Sequence, residues 1–144
     1  YPKYGMDQDL YELPYNDSAI SIVSETNDND YDVFMTEKIW KPIIAQHVFV
    51  VHGNYLYLQK LREMGFKTFG NWFNESYDLE GDSQKKIEKI VKLCKDLKQK
   101  NHQDLYLQTK SLRKHNYDHF FNAEKLSLEI NKTVKLFLEF ADRS

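Results

Sequence analysis

The apolar positions of this chain change their period along its length. Ser18 to Glu25 (S-A-I-S-I-V-S-E) is a short β-branched run, with Ile20, Ile22 and Val23, and predicts a strand. Thr26 to Asp32 (T-N-D-N-D-Y-D) is polar and turn-rich, and predicts a loop. Thr36 then precedes a helix predicted over 37–46. Its hydroxyl is placed to accept from a free N–H of the first turn, and Glu37 suits the positive end of the helix dipole. Pro42 removes one intrahelical hydrogen bond, so this helix is expected to kink or stop short.

His47 to Val51 (H-V-F-V-V) is apolar almost throughout and ends at His52-Gly53, as a strand covered on both faces does. Asn54 is placed to cap a second helix with Leu56, Leu58, Leu61 and Met64 on its apolar face, and Gly65 to end it in the left-handed conformation. Phe66 to Phe69 predicts a third short strand, and 71–82 a loop. Alternation of strand and helix is the pattern of a parallel α/β unit.

From Ser83 the period becomes helical. Ile87, Ile90, Val91, Cys94 and Leu97 form one stripe, with lysines on the other face. A second helix is predicted over 102–116. A third, over 122–141, carries Leu126, Ile130, Val134, Phe137 and Ala141 on one stripe. The organisation expected is one domain: an α/β core over 1–82, with an irregular start, and a helical extension over 83–144 that packs on it.

Composition narrows the function classes. The chain has 144 residues, room for one domain with its own core. The net charge of −2 gives no general attraction to nucleic acid or anionic lipid. The charge is uneven: residues 1–82 carry 6 basic and 14 acidic groups, and residues 83–114 carry 10 and 3. The lysine run reads first as the solvated face of an amphipathic helix, with contact to an anionic surface as the second reading. A single cysteine, Cys94, excludes an internal disulfide and a cysteine-based zinc site. No apolar run approaches the ~20 residues that span a bilayer, so no transmembrane segment is expected. His115 and His119 have an i, i+4 metal-ligand spacing, but no H-E-x-x-H motif or cysteine accompanies them, and no metal is expected. Three N-x-S/T sequons, at Asn16, Asn74 and Asn131, are close to chance for a chain this rich in Asn.

The densest chemical signal runs from Ser24 to Gly53. A strand ends in Glu25, a polar loop follows, and a helix opens with Thr36-Glu37-Lys38. In open α/β sheets ligands lie beyond the carboxyl ends of the strands, where a helix N-terminus favours an anion. Lys38 adds a full positive charge there, and Lys41 lies one turn further along the same face. Glu37 is an acceptor for a vicinal diol. An acid for ribose beside a base for pyrophosphate suits a nucleoside diphosphate.

The order E-x-N, an Asp/Tyr-rich loop, T-E-K, a helix and a V-x-V-V-x-G strand resembles the donor-binding motif of α1,3-fucosyltransferases, which have the two-domain GT-B fold. The likeness covers about thirty residues; the stretch from K-P-I-I-A-Q to G-F-K-T-F also looks like other glycosyltransferase-like proteins. It implies a Rossmann-like half of a GT-B fold that binds a nucleoside-diphosphate sugar of the GDP-fucose type and transfers the sugar to an acceptor hydroxyl on a glycan or other molecule. Carried over by position, Glu37 takes ribose hydroxyls, Lys38 takes the diphosphate, and Glu25 matches the Glu of F-E-N-S. Thr36 and Lys41 complete the donor-binding set, with Tyr31, Phe34 and His52 as further candidates.

This sequence departs from the family at Phe34, where Tyr is usual, and at Phe49, where Pro is usual. The resemblance implies no cofactor or metal beyond the donor, a general base supplied by an N-terminal GT-B domain, and Tyr1 as the cut edge of a longer enzyme inactive in this portion alone. The location expected is the cytoplasm, as for a bacterial or viral-type enzyme, ahead of the Golgi lumen. A non-catalytic α/β interaction module and a nucleotide-binding regulatory module remain the alternatives.

Overall fold

The computed structural model describes residues 15–25, 33 and 35–122. Strand β1 (Ile20–Ser24) is followed by helix α1 (Glu37–Ile44), strand β2 (Val48–His52) and helix α2 (Tyr57–Glu63). A 3₁₀ turn (Ser76–Leu79) then leads to helices α3 (Ser83–Lys98), α4 (His102–Gln108) and α5 (Lys110–Phe120). The two strands pair in parallel, Ile20 opposite Val48 through Ser24 opposite His52. The chain is therefore mixed α/β, built on a β-α-β unit.

β2 lies at the centre. Val48, Phe49, Val50 and Val51 are all buried, as their unbroken apolar run predicts. Ile39 and Ile43 of α1, Leu58 and Leu61 of α2, and Ile90, Leu93 and Leu97 of α3 complete the core around it. The Phe49 ring meets Phe69 edge to face at 4.9 Å, a favoured aromatic geometry. Trp40 of α1 packs between Phe66 and Phe120, with centroids 5.6 and 5.7 Å away, and joins α1 to α5.

Helix α1 starts at its expected cap, with the Thr36 hydroxyl accepting from the Lys38 N–H at 3.3 Å. It ends at Ile44, two residues after Pro42, shorter than the predicted 37–46. Gly65 has φ 93°, the left-handed conformation expected after α2.

Four expectations are corrected. Phe66 to Phe69 forms no strand, and among the described residues the sheet has two strands. Instead of a neighbouring strand, the Asn116 carboxamide meets this segment. Its Oδ1 accepts from the Lys67 N–H at 2.8 Å, and its Nδ2 donates to the Lys67 carbonyl at 2.9 Å. One side chain thus supplies both hydrogen bonds that a ladder partner would give.

Helix α2 is not capped by Asn54. The Asp78 carboxylate, brought over by the 3₁₀ turn, accepts from the Leu58 and Gln59 N–H groups at 2.8 and 3.1 Å. The apolar face of α2 is Tyr57, Leu58 and Leu61, while Met64 is exposed.

On α3 the buried stripe is Lys86, Ile90, Leu93 and Leu97. Ile87 and Val91 face solvent, and Cys94 is half-buried. The buried stripe is thus shifted from the predicted one, and it includes Lys86, whose ammonium reaches the Gly53 carbonyl just past β2.

The helix predicted over 102–116 is two helices that meet at Thr109. The Thr109 hydroxyl donates to the Leu105 carbonyl at 2.8 Å, a back-bond that accompanies bends. Arg113 braces this junction, donating to the carbonyls of Gln46 and Tyr106 and lying 3.5 Å over the Tyr106 ring. The helix predicted over 122–141 lies outside the described residues but for its first position.

Candidate functional site

The carboxyl ends of both strands meet at one place, where Ser24 pairs with His52. Glu25 follows directly and is buried, at 6% exposure. Its backbone N–H continues the ladder to the His52 carbonyl at 2.9 Å. Its carboxylate accepts three hydrogen bonds: the Thr36 hydroxyl at 2.5 Å, the Thr36 N–H at 3.2 Å and the Tyr57 hydroxyl at 2.6 Å. The end of β1, the start of α1 and the first turn of α2 are thereby tied to one acid.

Tyr57 is a residue that the sequence reading missed. Burial and the adjacent Glu25 carboxylate push its phenol far above the usual tyrosine range, so it stays protonated and donates. Gly53 makes room for it. A Cβ there would lie 2.7 Å from Tyr57 Cδ2, inside any real contact.

Lys86 is the second missed residue. It is 3% exposed, and its ammonium donates to the Gly53 carbonyl at 2.8 Å. Its position four residues before Ile90, on the buried stripe, is a local signal for this placement. The turn below is acidic. Asp78 is buried and Glu75 half-buried, and desolvation raises their carboxyl pKa values. Glu75 accepts from the Phe69 N–H at 2.7 Å and the Thr68 hydroxyl at 2.8 Å.

Lys38 and Lys41 share one face of α1 and line a groove of about 470 Å³. The groove runs beside β1, with Ile20 to Ser24 as one wall and Pro42 at its side. Its volume falls within the ~300–1,000 Å³ typical of small-molecule sites. The Thr36 hydroxyl is committed at both ends, donating to Glu25 and accepting from the Lys38 N–H. Glu37 is half-buried in the first turn of α1 and does not line this groove. His52 is half-buried at the end of β2. Tyr31 and Phe34 lie outside the described residues. The structure therefore brings Lys38 and Lys41 together on one groove and gives Glu25 and Thr36 to the joint that positions them.

The remaining histidines serve the fold. His47 bridges the Ser21 hydroxyl at 3.0 Å and the Tyr15 carbonyl at 2.7 Å, and burial lowers its pKa. His115 and His119 stack at 5.9 Å, and their Nε2 atoms meet the carbonyls of Gly65 and Met64 at 3.1 and 2.8 Å. These carbonyls end α2. Among the described residues no group of three or more His, Cys, Asp or Glu is arranged to hold a metal ion. No helix of the described residues is long and apolar enough to cross a membrane. Compared with protein-family models, with curated proteins and with solved structures, the chain matches none.

Proposed function

We propose that the chain is the donor-binding domain of a glycosyltransferase, a Rossmann-like half of a GT-B enzyme that takes a nucleoside-diphosphate sugar. The observation that carries this reading is the pair Lys38 and Lys41, one turn apart on α1, lining the same groove beside β1. The T-E-K tripeptide at the start of α1 supports it, because the first turn adds the positive end of the helix dipole to two ammonium charges.

In this reading Lys38 and Lys41 hold the diphosphate, and Glu37 accepts from ribose hydroxyls. The bond between the sugar's anomeric carbon and the diphosphate oxygen breaks, and the acceptor oxygen bonds to that carbon. Negative charge grows on the leaving diphosphate, and fixed cations there lower the barrier most. Two ammonium groups do this without a metal. The acceptor hydroxyl gives its proton to a base carried by a partner domain. Glu25 is a positioning residue: it fixes Thr36, and Thr36 fixes the turn that bears Lys38.

The test is transfer. In its native sequence context the chain is supplied with GDP- and UDP-sugars and a glycan acceptor, and release of nucleoside diphosphate is followed. Transfer that Lys38→Ala abolishes supports the reading. Transfer unaffected by Lys38→Ala, or nucleotide release with no sugar on the acceptor, contradicts it.

A further inference from the structure

A second concavity lies between the 3₁₀ turn and α3. It holds about 380 Å³, at the lower end of the ~300–1,000 Å³ range of ligand sites. Its floor is apolar: the buried Phe73, Tyr77, Leu93 and Leu97. Its rim is polar and mostly cationic, with Lys89, Lys92 and Lys100 against a single carboxylate, Asp96.

The rim groups differ in what they have left to offer. Lys89 is paired with Glu80 at 2.8 Å. Lys100 donates to the Trp72 carbonyl at 2.6 Å, which holds its ammonium at the edge of the concavity. Lys92 is exposed and has no ion pair or hydrogen bond among the described residues. Asn74 accepts from the Ser76 N–H through Oδ1 at 2.8 Å, which leaves its Nδ2 to donate. One uncommitted ammonium and one amide donor thus stand above an aromatic and aliphatic floor.

We propose that this concavity binds a small monoanion with a flat apolar body, an aromatic carboxylate in class. The ring system lies on Phe73, Tyr77 and Leu93, removing apolar surface from water. The carboxylate reaches Lys92 and the Asn74 amide at the rim. The one uncommitted ammonium matches a single negative charge, and the second charge of a phosphate monoester would stand near the Asp96 carboxylate, so a carboxylate is the better match. The site shares no residue with the groove at Lys38 and Lys41 and stands or falls independently of it.

The test uses 2-naphthoate, with neutral 2-naphthamide and 2-naphthyl phosphate as comparisons, titrated into the chain and followed by amide NMR shifts. Saturable shifts centred on residues 73–77 and 92–97 are expected, tightest for the carboxylate. Reversing an exposed rim charge by Lys92→Glu removes one attraction and adds one repulsion, so naphthoate should bind about fivefold more weakly. Lys110→Glu, an exposed charge on α5, should leave binding unchanged. The proposal is overturned by shifts that do not saturate, by equal binding of the amide, by tighter binding of the phosphate, or by unchanged binding in Lys92→Glu. Circular dichroism of both variants separates a lost site from a lost fold.

Discussion

Replacing Tyr57 by Phe removes one oxygen from the joint at the end of the sheet and leaves the ring in place. The Tyr57 side chain is 1% exposed, and its hydroxyl donates to the Glu25 carboxylate at 2.6 Å. Without it, a buried carboxylate keeps only the two donors of Thr36. A hydrogen bond to a charged group contributes about 1.5–3 kcal/mol, so Tyr57→Phe should destabilise the chain by about 2 kcal/mol. For a chain of this length that lowers the melting temperature by about 7 °C. Urea unfolding gives the free energy, and hydrogen exchange at the Thr36 amide gives the local effect, which should accelerate. Tyr55→Phe is the control, since Tyr55 is 50% exposed and should change stability by less than about 0.5 kcal/mol. Glu25→Gln combined with Tyr57→Phe should be less than additive, because the two changes break the same contact. A cost for Tyr57→Phe no larger than the Tyr55→Phe control, or strict additivity with Glu25→Gln, refutes the joint.

Two further outcomes rest on the same corner of the fold. Gly53→Ala places a Cβ 2.7 Å from the Tyr57 ring, and overpacking of this kind should cost about 2 kcal/mol in urea unfolding; a neutral effect would mean that the ring moves freely. Burial raises the phenol pKa of both Tyr57 and Tyr77, so the folded chain keeps protons that the unfolded chain releases near pH 10. Their contribution is complete below that pH and declines above it, and Tyr57→Phe should flatten the fall in melting temperature between about pH 10 and 11.

The residues that encode local geometry were legible in the sequence. Thr36 caps α1, Gly65 turns the chain after α2, and the unbroken run from Val48 to Val51 lies buried in the sheet. Each of these acts within a few residues of itself. The misread features depend on partners far along the chain. Asp78 caps α2 from 20 residues away, and Asn116 meets Lys67 from 49 away. No period or propensity in Phe66 to Phe69 shows that a side chain, rather than a strand, will satisfy its backbone. Lys86 looks like one more surface lysine until the Gly53 carbonyl is found 2.8 Å from it.

At the candidate site the sequence placed Lys38 and Lys41 on one face of a helix, and in the structure they do share a groove. It did not reveal that the Tyr57 hydroxyl, 32 residues away, would join Thr36 in engaging the Glu25 carboxylate. An acid at a strand end reads the same whether it faces a ligand or a neighbouring helix.

Calorimetric titration with GDP and UDP, wild type beside the Lys38→Ala/Lys41→Ala double variant, tests the donor site most directly. A saturable heat is expected for at least one nucleotide. Loss of two charge-assisted contacts should weaken it by about tenfold or more. A wild-type chain that binds neither nucleotide, or a double variant that binds as tightly as the wild type, contradicts a donor site at the start of α1.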